Sequence, residues 1–240
     1  PAEVATTKHT ACAIAAVVAI PLAMAAPVAA ATPATSAGPA SSRSCLTAVP
    51  AVGTTYASQV TTKTTQLVVV RGKKKKSSYN KVEFWERTGE CWALIKRVNG
   101  RNGARGWSKK ATDGSLLSPV GVFSLTDAGG RLPNPGTALP YHYGPQAYSK
   151  FGYRMNSKTV QVFDYVVAIN FNRNIGKPPR DEGRPNPEIR DGGIWFPVSG
   201  AGATRGCVSV KEATLAWALR WLKPTEHPMI VMGPKTTLKQ

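Results

Sequence analysis

The stretch Gly200-Ala201-Gly202-Ala203-Thr204-Arg205-Gly206-Cys207-Val208-Ser209-Val210, continuing into Lys211-Glu212-Ala213-Thr214-Leu215-Ala216-Trp217-Ala218-Leu219-Arg220-Trp221-Leu222, decides how this chain is read. It places one cysteine at the end of a small-residue loop and immediately before a helix. Ser209 and Glu212 have the spacing of a capping box, in which the two side chains satisfy free backbone donors at a helix start. Leu215, Leu219 and Leu222 recur on one helical face, and Pro224 ends the run. A thiol becomes a nucleophile only as thiolate, and a helix N-terminus or a guanidinium such as that of Arg205 favours that form. The other reading of Cys207 is a small buried hydrophobe, which is what many unbridged cysteines are.

Before this stretch the β-branched and aromatic runs at 66–70, 81–86, 92–98, 120–125, 159–170 and 194–198 have the character of short strands, and 229–232 adds one more after it. Turn formers lie between them, among them Asn99-Gly100, Asn102-Gly103, Asp113-Gly114 and Gly129-Gly130, and Gly106 is read the same way. One helix among many strands predicts a mainly β domain. Two long polar insertions, 131–157 and 172–193, are too irregular for core and have the length of lids or cleft walls. No metal-ligand cluster stands out, and the glycines at 200, 202 and 206 lack the spacing of a phosphate-binding loop.

Residues 1–31 are expected to be a secretory signal: Lys8 and His9 precede the alanine-rich apolar run 11–31, which closes on Ala29-Ala30-Ala31. Pro21 and Pro27 interrupt that run and argue against a membrane span. Residues 32–44, rich in Thr, Pro, Ala and Ser, read as a linker; 45–65 as an N-terminal extension; 66–240 as the catalytic-looking domain. Export makes the compartment oxidising, which favours pairing two of the three cysteines that follow the signal. A bridge between Cys45 and Cys91 would tie the domain start to an early strand and contribute roughly 4 kcal/mol by loop-closure entropy. Cys207 is then the odd one out.

The chain carries 31 Lys and Arg against 13 Asp and Glu, a net charge of +18. Such a surface attracts polyanions, and export directs that attraction to an anionic wall or membrane surface and away from nucleic acid. The run Lys73-Lys74-Lys75-Lys76 has two readings, a basic patch with a partner or a solvated hairpin tip, and the second is the expectation.

Thr204-Arg205-Gly206-Cys207-Val208-Ser209-Val210, taken with Asp113-Gly114, Ser118-Pro119-Val120-Gly121-Val122-Phe123, Leu139-Pro140-Tyr141-His142 and Ala168-Ile169-Asn170-Phe171-Asn172-Arg173, resembles the L,D-transpeptidases of the YkuD family, in the form that exported actinobacterial proteins have. The resemblance covers about 66–233. It implies a YkuD-like β-sandwich with one helix after the nucleophile and long loop insertions. It also implies a cell-wall acyltransferase in which Cys207 attacks a peptidoglycan stem tetrapeptide, releases D-alanine and passes the acyl group to an amine of a neighbouring stem. Gly206, with its cysteine neighbour, would offer oxyanion donors; Arg205, Ser209, Tyr141 and Asn170 would flank the substrate. No cofactor and no metal is implied, and a monomer is expected.

One position departs from the family pattern. The histidine that would activate the cysteine falls by spacing at Pro197 in Ile194-Trp195-Phe196-Pro197-Val198, and the position two before the cysteine, sometimes also histidine, is Arg205. Three accounts follow. A relocated base, His142 first and His227 second, could serve, since histidine titrates near neutral pH. Arg205 and the helix dipole could hold a thiolate without a base, with Arg205, Cys207 and Ser209 sharing one face if the segment is extended. Or the protein binds wall peptides and has lost catalysis.

Overall fold

A computed structural model describes residues 45–240 apart from 113, 150–152, 156, 157, 161, 190, 191 and 201, and describes 153–155 and 158–160 by backbone alone. The signal and linker readings, and Asp113, lie outside the described residues.

The chain is mainly β. After a short helix α1 (Thr54–Ala57) come β1 (Gln66–Gly72), β2 (Tyr79–Thr88) and β3 (Cys91–Arg101), then the short strands β4 (Gly106–Ser108), β5 (Leu117–Pro119), β6 (Gly121–Ser124) and β7 (Ala128–Gly130). β8 (Tyr141–Tyr143), α2 (Pro145–Ser149), β9 (Tyr153–Met155), β10 (Lys158–Val160), β11 (Val166–Ala168) and β12 (Trp195–Pro197) follow. The chain closes with α3 (Glu212–Trp221), β13 (Met229–Pro234) and α4 (Lys235–Leu238). A five-stranded sheet runs β3-β2-β1-β13-β6, and a four-stranded sheet runs β12-β11-β7-β8.

β1 is nearly all apolar because both faces of its sheet are covered. Side chains alternate across a strand, so Val68 and Val70 enter one core while Leu67 and Val69 enter another. The first core joins both sheets to α3: Phe84, Val167 and Phe196 pack with Leu215, Leu219 and Leu222. Phe84 meets Trp217 and Trp221 edge-on, with ring centroids 5.1 and 5.6 Å apart. On the other face the segment 45–65 supplies Val49, Ala51 and Tyr56 against Trp85, Trp92 and Val231. The Cys45–Cys91 disulfide fastens this segment to the start of β3.

Several expectations change. Gly100 lies inside β3 instead of a turn, and a Cβ there would stand 2.7 Å from the Ser209 carbonyl oxygen, so the missing side chain lets two backbones meet. The capping box is not formed. Ser209 pairs with Arg101 in both directions, at 2.8 and 3.0 Å, and its hydroxyl accepts from Ser199; Lys211 takes the N-cap position without a side-chain bond. Four residues therefore separate Cys207 from α3, too many for the helix dipole, which fades within the first turn, to act on it. The insertion 131–157 is not outside the core: Leu139 and Tyr148 are buried in it. Lys73 to Lys76 do form an exposed tip between β1 and β2.

Candidate functional site

Cys207 is half-buried beside the edge strand β12. The backbone N–H of Trp195 points at its sulfur, 3.4 Å away. The next residues run alongside β12, with Val208 N–H donating to the Trp195 carbonyl and Val210 N–H to that of Pro197.

Hydroxyls hold the turn that presents the cysteine. Ser118, fully buried at the middle of β5, donates to the Gly206 carbonyl at 2.6 Å and accepts from Gly103 N–H at 2.9 Å. Thr204 donates to the Cys207 carbonyl at 2.5 Å and accepts from Gly206 N–H at 3.2 Å. Gly206 itself has φ +141°, a region that favours glycine, and a Cβ there would crowd Leu117 and Ile194. Its N–H is thus engaged by Thr204 before any substrate arrives. Ser118→Ala is expected to cost about 1–3 kcal/mol by orphaning buried partners, read as a lower urea midpoint, and to slow modification of Cys207 by thiol reagents. An unchanged midpoint and rate would show that the turn holds without it.

Cys207 lines two hollows. One, of about 310 Å³, is charged: Arg180, Asp181, Glu182, Arg184 and Arg205 surround it. The other, of about 290 Å³, is largely apolar, with Val162, Phe163, Pro197 and Val198. Arg205 is exposed and borders both. Pro197 lies buried in the same hollow as the cysteine, where the resemblance expects a histidine.

The wall of the charged hollow is the insertion 172–193, set by a buried ion pair. Arg173 and Asp127 meet at 2.9 Å with both side chains 1% exposed. Arg173 also bonds Asn170 Oδ1 at 2.5 Å and the carbonyl of Lys177, while Asp127 accepts from Gly176 N–H at 3.2 Å and from the Thr126 hydroxyl. The Trp195 indole N–H, donating to the Pro179 carbonyl at 3.0 Å, ties the same insertion to β12.

Among the described residues no histidine lines either hollow. His142 lies on β8, at the opposite edge of the four-stranded sheet, three inter-strand spacings or roughly 14 Å from β12. Tyr148 occupies the interval: its ring centroid is 6.0 Å from that of Trp195, and its Cζ stands 3.2 Å from where a Gly129 Cβ would be. Burial pushes the Tyr148 phenol up to about 12, while the Arg180 guanidinium near its ring acts the other way. His227 is exposed beyond the far end of α3, a helix roughly 15 Å long. The structure thus brings neither histidine to Cys207.

The other expected residues divide. Gly206 and Arg205 adjoin the cysteine. Ser209 is buried in backbone pairing. Tyr141 donates to the Leu132 carbonyl at 2.7 Å, and burial raises its phenol well above the usual range; it braces the 131–140 loop. Asn170 bonds Ser124, Thr126 and Arg173, so it supports the ion pair and not the sulfur. Sequence reasoning missed the roles of Ser118, Thr204, Asp127 and Arg173. Ser118, Thr204 and Arg173 stood inside runs already singled out, but only the tertiary contacts disclose what they hold.

No protein-family model matches this chain, and neither does any curated protein. Among solved structures, that of Bd1075 from Bdellovibrio bacteriovorus is similar over 73% of this chain, with 14% identity and a TM-score of 0.39. The match spans about half of that protein, 52% of its chain.

Proposed function

We propose that this chain is an exported, cysteine-dependent acyltransferase with a YkuD-like sandwich, an L,D-transpeptidase acting on peptidoglycan stem peptides at the cell wall. The observation that carries this reading is Cys207 at the junction of a charged and an apolar hollow, so that acyl donor and acceptor amine can approach one sulfur from two sides. The disulfide suits an oxidising compartment.

The chemistry splits one acyl transfer into two. Sγ of Cys207 attacks the carbonyl carbon that joins the stem to its terminal D-alanine, and the carbonyl electron pair moves onto oxygen. As that pair returns, the C–N bond breaks and the departing amine takes the thiol's proton. An amine of a second stem then attacks the thioester, the C–S bond breaks, and the amine's proton returns to sulfur. The Trp195 N–H aimed at sulfur is the kind of donor a thiolate needs. Asp181 and Glu182 are the carboxylates bordering the charged hollow.

A second reading has its own observation. Pro197 occupies the expected position of the base, and a protein that retained the hollows without it would bind wall peptides and leave them intact. Incubation with a carbapenem, followed by intact mass, separates the two. One adduct on the wild-type chain, absent from Cys207→Ala, is the expected result. An unmodified thiol in a protein that still binds muropeptides would replace the enzyme with the binding protein.

A further inference from the structure

A hollow larger than either of those at Cys207 lies elsewhere among the described residues. It measures about 940 Å³ and runs beside the ends of β1, β2 and β3, bordered by Arg71, Lys73, Lys81, Arg101, Lys211 and Lys235, with no carboxylate in its lining among the described residues. Arg71 is neutralised by Glu83, which also takes Arg97. The other five form no ion pair among the described residues. A hollow with this many unneutralised cations concentrates anions. Its walls are also short of acceptors: Nε of Arg71 and Nε of Arg101 are buried without a hydrogen-bond partner. Guanidinium forks match phosphate as well as carboxylate oxygens, and lysines spread along a groove match a chain of single charges.

We propose that this groove binds a linear phosphodiester-linked polyanion, at a site distinct from Cys207 but abutting it, since Gly200 borders both the groove and the apolar hollow. The bound polymer holds the protein on an anionic surface with the cysteine beside it. Nucleic acid fits less well. Sequence-tolerant strand binding uses a series of aromatic faces, whereas the one aromatic in this lining, Tyr79, has the Arg101 guanidinium 3.8 Å over its ring.

The test is fluorescence anisotropy with a labelled poly(glycerol phosphate) chain. Affinity should fall steeply between about 50 and about 200 mM salt, as counterion release requires. The double variant Lys81→Glu, Lys211→Glu should bind at least about tenfold more weakly with a shallower salt dependence, while its circular dichroism and its Cys207 modification rate stay those of wild type. Equal affinity for poly-glutamate of matched charge overturns the phosphodiester class. Tighter binding of a single-stranded oligonucleotide with the same number of phosphates makes this a nucleic-acid groove. Absence of salt-sensitive binding, or binding unaltered by the double reversal, removes the site altogether. Cys207→Ala should leave polymer affinity unchanged, so a failed carbapenem reaction refutes the enzyme and not the groove.

Discussion

Pro197→His is expected to raise the rate of Cys207 acylation by roughly a hundredfold or more, the usual worth of a positioned general base. Pro197 is buried on β12 and lines the same hollow as the cysteine. Proline can neither take nor give a proton, whereas an imidazole has room to enter the hollow. The ladder loses nothing by the change, because proline donates no hydrogen bond and its carbonyl still accepts from Val210 N–H. Time-resolved intact mass with a carbapenem gives the rate. The pH profile should gain a rising limb near the ordinary histidine range, around 6.5, which a merely structural effect would not produce. A folded variant with an unchanged rate and no new limb would mean that the hollow is not arranged for this chemistry. The parallel change His142→Ala should leave acylation unaltered, since Tyr148 and two strands stand between that ring and β12.

Asp127→Ala is expected to cost about 3–5 kcal/mol, because it strands a buried guanidinium without its counter-charge. The Arg173 side chain is 1% exposed and its Nε already has no partner; the acceptors left to it, Asn170 Oδ1 and the Lys177 carbonyl, are neutral. The double change Asp127→Leu, Arg173→Met should recover much of that loss, since it removes both charges and replaces them with apolar volume. Function should not recover with it. The 172–193 wall loses its hold at Lys177 and Gly176, and acylation of Cys207 should remain slow in the double variant. Urea unfolding of the three chains measures the first effect and adduct kinetics the second. A loss below about 1 kcal/mol in Asp127→Ala would show that the guanidinium finds solvent on its own.

Much of the architecture could be read residue by residue. β1, β2, β3, β12 and β13 lie where β-branched and aromatic runs predicted strands, and Leu215, Leu219 and Leu222 bury the helix face they defined. Those features are local: alternation, helical spacing and turn residues are set by near neighbours along the chain. The Cys45–Cys91 pairing also followed from few cysteines and an inferred compartment. Local reasoning failed where a distant strand competed for the same residue. Ser209 has the chemistry of a helix cap, yet Arg101, more than a hundred residues earlier, claims its backbone, and Gly100 has the chemistry of a turn, yet Ser209 needs its missing side chain.

The sequence by itself determined a mainly β chain, its principal helix and the Cys45–Cys91 disulfide, which leaves Cys207 as the unbridged cysteine among the described residues. Only the tertiary structure decided what surrounds that thiol. The order of strands in the second sheet carried His142 to the far edge and left Pro197 in the hollow that Cys207 lines, and an ion pair between residues 46 positions apart set the wall of the charged hollow. The basic groove is likewise tertiary, gathering cations from Arg71 to Lys235 that no sequence window contains together. Which elements form is a matter of short-range periodicity and conformational preference. Which side chains meet depends on register and crossover, and these are settled by the burial of whole faces.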